Sequence, residues 1–113
     1  METIIRLKHL EKLNLSGTKV EDAGLQRLSA SKSITNLNLD ATAITDKGVE
    51  HLAKMQSLQV LPMDDCINLT RECLNSLGKL PNLKDLYLVN SAKLSSYDIE
   101  MFQRVHHVKM YCF

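Results

Sequence analysis

The chain has 113 residues, of which 44% are hydrophobic and 24% are charged, and its formal net charge is +1 at pH 7. This length fits one small domain, and the balanced charge excludes a strongly basic nucleic-acid binder. No stretch approaches the roughly 18 consecutive apolar residues of a membrane span, and residues 1–10 lack the apolar core of a signal peptide. Three cysteines at spacings that match no zinc or redox motif favour a reducing compartment, so we expect a cytoplasmic protein.

A hydrophobic pattern of the form LxxLxL recurs at intervals of 24 or 25 residues. Its copies begin at Leu10, Ile34, Leu58, Leu83 and Val108. In each copy the alternation LxL predicts a short strand, and the apolar residues that follow at helical spacing predict a helix. In the fourth unit the predicted helical core residues are Leu94, Ile99, Phe102 and Val105. Such units must stack, because none can bury its own apolar face.

The period predicts an α/β solenoid, a right-handed superhelix with a short parallel sheet on its concave face and helices on its convex face. Residues 1–113 form one predicted domain, with repeats at 10–33, 34–57, 58–82 and 83–107. Residues 1–9 match the helical half of a preceding repeat, and residues 108–113 are predicted to form a terminal strand. Two explanations of these uncapped ends stay open, namely a piece of a longer array and an end-to-end contact between copies.

Two segments carry a resemblance to a known family, namely GTxVxDxGL at residues 17–25 and ATxITDxGV at residues 41–49. With the LxxLxL copies they resemble leucine-rich repeats of the ITDxGL type. The segment Cys66-x-x-Leu69-Thr70 resembles the cysteine-containing repeats common in F-box-associated proteins. In this family an Asn or Cys usually follows each strand and binds backbone groups of neighbouring turns.

In this chain the corresponding turn positions hold Thr18, Thr42, Cys66 and Ser91. Their small side chains can donate to a buried carbonyl, as the family's side chain does. Thr45, Thr70 and Ser95 stand at the predicted helix starts, where a hydroxyl can cap free amides.

The side chains between and beside the inward leucines predict the working surface on the concave face. The first column holds Lys12, Asn36, Val60, Asp85 and Met110; the second Asn14, Asn38, Pro62, Tyr87 and Cys112; the third Ser16, Asp40, Asp64 and Val89. We predict a protein-binding site at Lys12, Asn14, Asn36, Asn38, Asp40, Val60, Asp64, Asp85, Tyr87 and Val89. Tyr87 is its expected anchor, because tyrosine is enriched at binding hot spots. The alternative is an ordinary solvated sheet face, which is also polar.

No constellation of residues predicts catalysis, a metal site or a cofactor. His9, His51, His106 and His107 do not converge on one place in the repeat, and no cysteine has a paired base. Pro62 lacks a backbone N–H in the middle of a predicted central strand, so we expect a local break in the sheet there.

The predicted function is that of a non-catalytic adaptor, a protein-protein interaction module that binds a partner with a basic or mixed surface. Nucleic acid is not an expected partner, and no membrane span is expected. Two alternatives remain at this point. The resemblance implies the substrate-recognition part of an F-box-type ubiquitin ligase, and the uncapped ends allow a structural subunit that self-associates end to end.

Overall fold

The computed structural model describes residues 10–112, which form a single layer of strands covered on one side by helices. The strands are β1 (Lys12–Asn14), β2 (Asn36–Asn38), β3 (Val60–Pro62), β4 (Asp85–Tyr87) and β5 (Lys109–Tyr111). The helices are α1 (Asp22–Leu28), α2 (Asp46–Leu52), α3 (Cys73–Leu77) and α4 (Ser96–His106). The strands are parallel and lie side by side in chain order, with one helix between each strand and the next. This is the α/β solenoid that the period predicts.

The core lies between the sheet and the helices and is built from the same repeat positions in each unit. In β2 and β3 the central leucines, Leu37 and Leu61, are fully buried, and the helix residues Leu28 and Leu52 are buried opposite them. The LxL alternation therefore turns one side of each strand toward the helices and leaves the other side outside. We call that outer side of the five strands the sheet face.

The turn after each strand is held by the predicted small side chains. Thr42 Oγ1 donates to the Leu39 carbonyl at 2.8 Å, and Cys66 Sγ donates to the same oxygen at 3.1 Å. One repeat later, Ser91 Oγ donates to the Met63 carbonyl at 2.6 Å. These bonds confirm the prediction, and every buried side-chain nitrogen and oxygen of the described residues has a hydrogen-bond partner.

Two of the three predicted cap residues, Thr45 and Ser95, stand at helix starts. The prediction for Thr70 is wrong, because residues 71 and 72 form a turn and α3 begins at Cys73; Thr70 Oγ1 instead accepts from the Glu72 N–H at 3.2 Å. Thr45 Oγ1 accepts from the Lys47 N–H at 3.2 Å at the start of α2. Ser95 and Asp98 form a reciprocal capping box at the start of α4. Arg71 Nη2 donates to the same Asp98 carboxylate at 2.7 Å, so the start of α4 is tied to the preceding repeat.

Adjacent repeats are joined by an aspartate in the first turn of one helix and a threonine one to three residues before the next helix. The Asp22 carboxylate accepts from the Thr45 N–H at 2.9 Å and from Thr45 Oγ1 at 2.6 Å. Asp46 accepts from the N–H and the hydroxyl of Thr70 in the same way. Both carboxylate oxygens are used each time, so these aspartate–threonine pairs fasten one repeat to the next.

The last strand differs from the prediction by one residue. The prediction placed Tyr111 inward with Met110 and Cys112 outward, whereas in the structure Leu86 pairs with Met110 and Tyr87 pairs with Tyr111. Met110 is therefore a core residue with 8% exposure, Cys112 packs against the core, and Tyr111 lies on the sheet face. A shift of one residue reverses every side chain of a strand.

The cause of the shift is the short connection that follows α4. This helix runs to His106, and only residues 107 and 108 separate it from β5, whereas residues 29–35 separate α1 from β2. His107 takes a left-handed conformation with φ of 56°, which ends the helix abruptly. The predictions for residues 1–9 and for Phe113 lie outside the described residues.

Pro62 interrupts the sheet as predicted. Strands β2 and β3 share one registered pair, Asn36 with Val60, whereas the other neighbouring strands share three. Because Pro62 has no N–H, it cannot donate to β2, but its carbonyl accepts from the Leu39 N–H at 2.8 Å. It pairs normally with Tyr87 on β4, so the break is confined to one side of β3.

Candidate binding surface

The structure brings the predicted site residues together on the sheet face and its carboxyl-terminal edge. The first predicted column has three residues in register across β2, β3 and β4, namely Asn36, Val60 and Asp85. Lys12 extends that column onto β1. These side chains are half-buried or exposed, whereas the leucines between them are buried. Their position is as expected, and their role in binding stays a prediction.

Two stacked tyrosines dominate one end of the sheet face. The rings of Tyr87 and Tyr111 lie 4.3 Å apart between centroids and within 9° of parallel. Tyr111 Oη donates to Asp85 Oδ1 at 3.3 Å, and Lys109 Nζ lies 5.8 Å from the Tyr111 ring centroid. The pair is thus a rigid aromatic surface, with polar groups at its edge and one cation already placed on it.

The Tyr87 hydroxyl is protonated at neutral pH. Loss of hydration raises its pKa, and the neighbouring Tyr111 and Asp85 raise the pKa further. A protonated hydroxyl can both donate and accept a hydrogen bond, which is the property that makes tyrosine useful at interfaces.

Sequence reasoning missed Tyr111 and Lys109 as members of this surface. Both stand 24 residues after their strand neighbours on β4, Tyr87 and Asp85. The spacing of the first two repeats is also 24, so extending that spacing from Tyr87 would have found Tyr111. The prediction instead aligned Val108 with Leu83, and that alignment adds one residue.

Two of the predicted binding aspartates have a structural role on the edge of the sheet. Asp40 Oδ1 accepts from the Asp64 N–H at 2.8 Å, and Asp64 Oδ1 accepts from the Val89 N–H at 2.8 Å. Each bond links one repeat to the next. Burial raises the pKa of Asp64, the Val89 N–H opposes that rise, and the charges of Asp40 and Asp65 add to it.

Asn14 and Asn38 are likewise engaged with their own turns. Asn14 Oδ1 accepts from the Ser16 N–H and Asn38 Oδ1 accepts from the Asp40 N–H, both at 2.9 Å. These are Asx-type bonds that shape the chain as it leaves the strand. The side-chain amides of both residues still offer donors on the sheet face.

The three predicted aspartates do not form one cluster. Asp40 and Asp64 are neighbours at the edge where the strands end, whereas Asp85 stands at the start of β4. Tyr87 lies between the two groups along the strand direction. A partner that covers Tyr87 can therefore meet negative charge on either side of the ring.

A second exposed surface, lined by both apolar and charged residues, lies on the helical side. A groove of about 600 Å³ separates α3 from α4, and its lining includes Leu74, Gly78, Tyr97, Met101 and Val105. Tyr97 is 69% exposed and Val105 is 60% exposed. The assignment of Val105 to the core is therefore wrong, because α3 is only five residues long and does not cover α4.

The described residues offer little for catalysis. Residues 10–112 contain no group of three His, Cys, Asp or Glu side chains placed to hold a metal ion. Burial raises the pKa of the Cys73 thiol to about 12 and also raises the pKa of Cys66, so both lack the thiolate character of a nucleophile. Among the helices described, none is both long and apolar enough to cross a membrane.

Comparison with known proteins agrees with the repeat architecture. A family model described as Leucine Rich repeat matches residues 6–29. The tropomodulin C-terminal domain of Caenorhabditis elegans is similar in structure, with a TM-score of 0.72 at 21% identity, over 95% of this chain and 75% of that chain. The fold is that of a leucine-rich repeat protein.

A second leucine-rich repeat neighbour is an internalin from Listeria monocytogenes, with a TM-score of 0.61 and 16% identity. The match covers 100% of this chain and 37% of the internalin. No curated protein matches the sequence significantly. The cysteine-containing, F-box-associated subtype of the repeats remains a prediction.

Proposed function

We propose that this leucine-rich repeat chain is a non-catalytic module that binds a protein partner through its sheet face. The observation that carries the proposal is the half-exposed stack of Tyr87 on Tyr111 at one end of the five-stranded sheet. Aromatic residues with a polar tip are the side chains most often found at binding hot spots. A stacked pair also loses little side-chain entropy on binding, because each ring already holds the other.

The charges around the stack support a partner with a basic or mixed surface. Asp64 and Asp85 stand on either side of Tyr87, and Lys109 lies beside Tyr111. Opposite charges close together on one face select the orientation of a partner more than they add affinity. We also propose a cytoplasmic location, on the ground that the chain carries three free thiols.

The test is affinity capture with matched variants on the two sides of the solenoid. Tyr87→Ser removes the proposed anchor, and Tyr97→Ser removes an exposed tyrosine from the helical groove. Proteins retained from a lysate of the source organism are quantified by mass spectrometry, and circular dichroism checks the fold of each variant. Loss of a specific partner with Tyr87→Ser alone supports the proposal, whereas loss with Tyr97→Ser alone assigns binding to the groove.

Variants that change the charge of these aspartates must keep the backbone hydrogen bonds that the aspartates accept. A lysine at position 64 would remove the acceptor of the Val89 N–H, so Asp64→Asn is the informative change because the amide oxygen can still accept. Glu50→Gln, on an exposed side chain of α2, is the matched control.

The two alternatives, an F-box-type ubiquitin-ligase role and end-to-end self-association, predict different results. Retention of ubiquitin-ligase scaffold proteins would point to the F-box-type role. A mass that increases with concentration in light scattering, unchanged by Tyr87→Ser, would point to self-association through the ends of the array.

A further inference from the structure

We infer that the partner places an arginine side chain on the Tyr87 ring, within an extended segment that also carries apolar residues. This inference rests on the proposed function, because it concerns the same sheet face. The group that the partner must supply is a guanidinium, and positive charge of another kind is not sufficient.

The exposed part of the aromatic stack is asymmetric. Tyr111 stacks on one face of the Tyr87 ring, and the in-register neighbour on the other side is Pro62, whose side chain is smaller than a tyrosine ring. Lys109 lies over the Tyr111 ring and its charge also acts on the Tyr87 hydroxyl, but among residues 10–112 no cation–π contact is formed with the Tyr87 ring itself. The Tyr87 ring therefore has a free position for a planar, positively charged group.

A carboxylate lies within reach of that position. Asp64 follows Pro62 by two residues and so lies on the same side of the sheet, about 8 Å diagonally from Tyr87 by strand geometry. Its Oδ1 is held by the Val89 N–H, and residues 10–112 provide no donor to its Oδ2. The carboxylate is thus fixed in place with one oxygen still able to accept.

Arginine fits this arrangement better than lysine does. A guanidinium can stack on an aromatic ring and, through its edge, donate to a carboxylate at the same time. An ammonium is compact and strongly hydrated, and it has no planar face with which to stack on the ring. Val60 and Val89, both half-buried beside these residues, provide apolar contacts for the neighbouring side chains of an extended segment.

The probe for the test is a displayed library of short random peptides, selected in parallel on the wild-type chain and on three variants. Asp64→Asn removes the charge, Tyr87→Ser removes the ring, and Tyr97→Ser is the control on the helical side. We expect arginine next to apolar residues to be enriched on the wild type and on the control but not on the first two variants. In the best peptide, Arg→Lys should weaken binding by about tenfold.

Each other result contradicts the inference in a recognisable way. Peptides that lack arginine but still depend on Tyr87 overturn it and leave the proposed function standing. Peptides whose binding is unchanged by both Tyr87→Ser and Asp64→Asn count against the proposed function as well. A library without enrichment on the folded wild type rejects recognition of an extended arginine segment, while affinity capture tests the sheet face separately.

Discussion

Replacement of Gly48 by alanine tests the joint between the first two repeats. Gly48 lies in the first turn of α2, and a Cβ there would overlap Asp22 Oδ1 and lie 3.0 Å from Leu25 Cδ1. The Asp22 carboxylate cannot move aside freely, because Thr45 donates to it from both its N–H and its hydroxyl. Alanine must therefore displace the carboxylate or strain the helix start.

The expected change in the free energy of unfolding is opposite in sign to the change that helix propensity alone predicts. Alanine in place of glycine ordinarily stabilises a helix by up to about 1 kcal/mol. Overpacking costs about 1 to 3 kcal/mol, and loss of a charged hydrogen bond adds about 1.5 to 3 kcal/mol where it occurs. We expect Gly48→Ala to lower the free energy of unfolding by about 1 to 2 kcal/mol, which lowers Tm by roughly 4 to 8 °C for a domain of this size.

Urea denaturation followed by circular dichroism measures this change, and a double-mutant cycle identifies its cause. In an Asp22→Ala background the clash with the carboxylate is gone, so Gly48→Ala should be neutral or stabilise by up to about 1 kcal/mol. If Gly48→Ala raises the free energy of unfolding of the wild-type chain, or costs the same in both backgrounds, the proposed overlap with Asp22 is wrong.

Three further predictions follow from the backbone and from ionisation. Ala41 has a left-handed φ of 55°, so Ala41→Gly should stabilise the chain by about 0.5 to 1 kcal/mol in urea denaturation, whereas Ala43→Gly should not. Cys73 should stay unmodified by a thiol reagent until the chain unfolds, because burial raises its pKa to about 12; mass spectrometry of native and unfolded samples checks this. The Ser95 N–H lowers the pKa of Asp98, so ionised Asp98 stabilises the fold above its unfolded pKa near 3.8, and that contribution disappears as the pH falls through the lower folded pKa. Asp98→Asn should therefore lose less stability than the wild type in urea titrations across that pH range.

Each of these predictions has a clear contrary result. Equal effects of glycine at positions 41 and 43 would mean that the left-handed turn carries no strain. Labelling of Cys73 in the native chain at the rate seen after unfolding would contradict its burial. Identical acid profiles for wild type and Asp98→Asn would show that the capping box does not favour the ionised carboxylate.

The architecture was predictable because it depends on short-range patterns repeated several times. The LxL alternation and the helical spacing each specify one face of one element, and the period specifies the stacking. The hydroxyls of Thr42 and Ser91 were predictable for the same reason, since each binds a carbonyl at a place that the repeat fixes.

The details that failed depend on contacts that no local pattern shows. The register of β5 is set by the two-residue connection after α4, which the spacing of leucines does not reveal. The structural role of Asp40 and Asp64 depends on N–H groups 24 and 25 residues away. Val105 has the helical spacing of a core residue, but it is exposed because α3 is too short to cover it.

The central claim is that the sheet face binds a protein, and site-specific photo-crosslinking tests it most directly. A photoreactive amino acid is introduced either at Asn36, which lies on the sheet face in register with Val60, or at Glu50, which is exposed on α2. Irradiation in lysate of the source organism, followed by mass spectrometry, identifies covalent adducts. We expect one protein to be captured reproducibly from position 36 and not from position 50. Capture of a specific partner from position 50 alone would contradict the account.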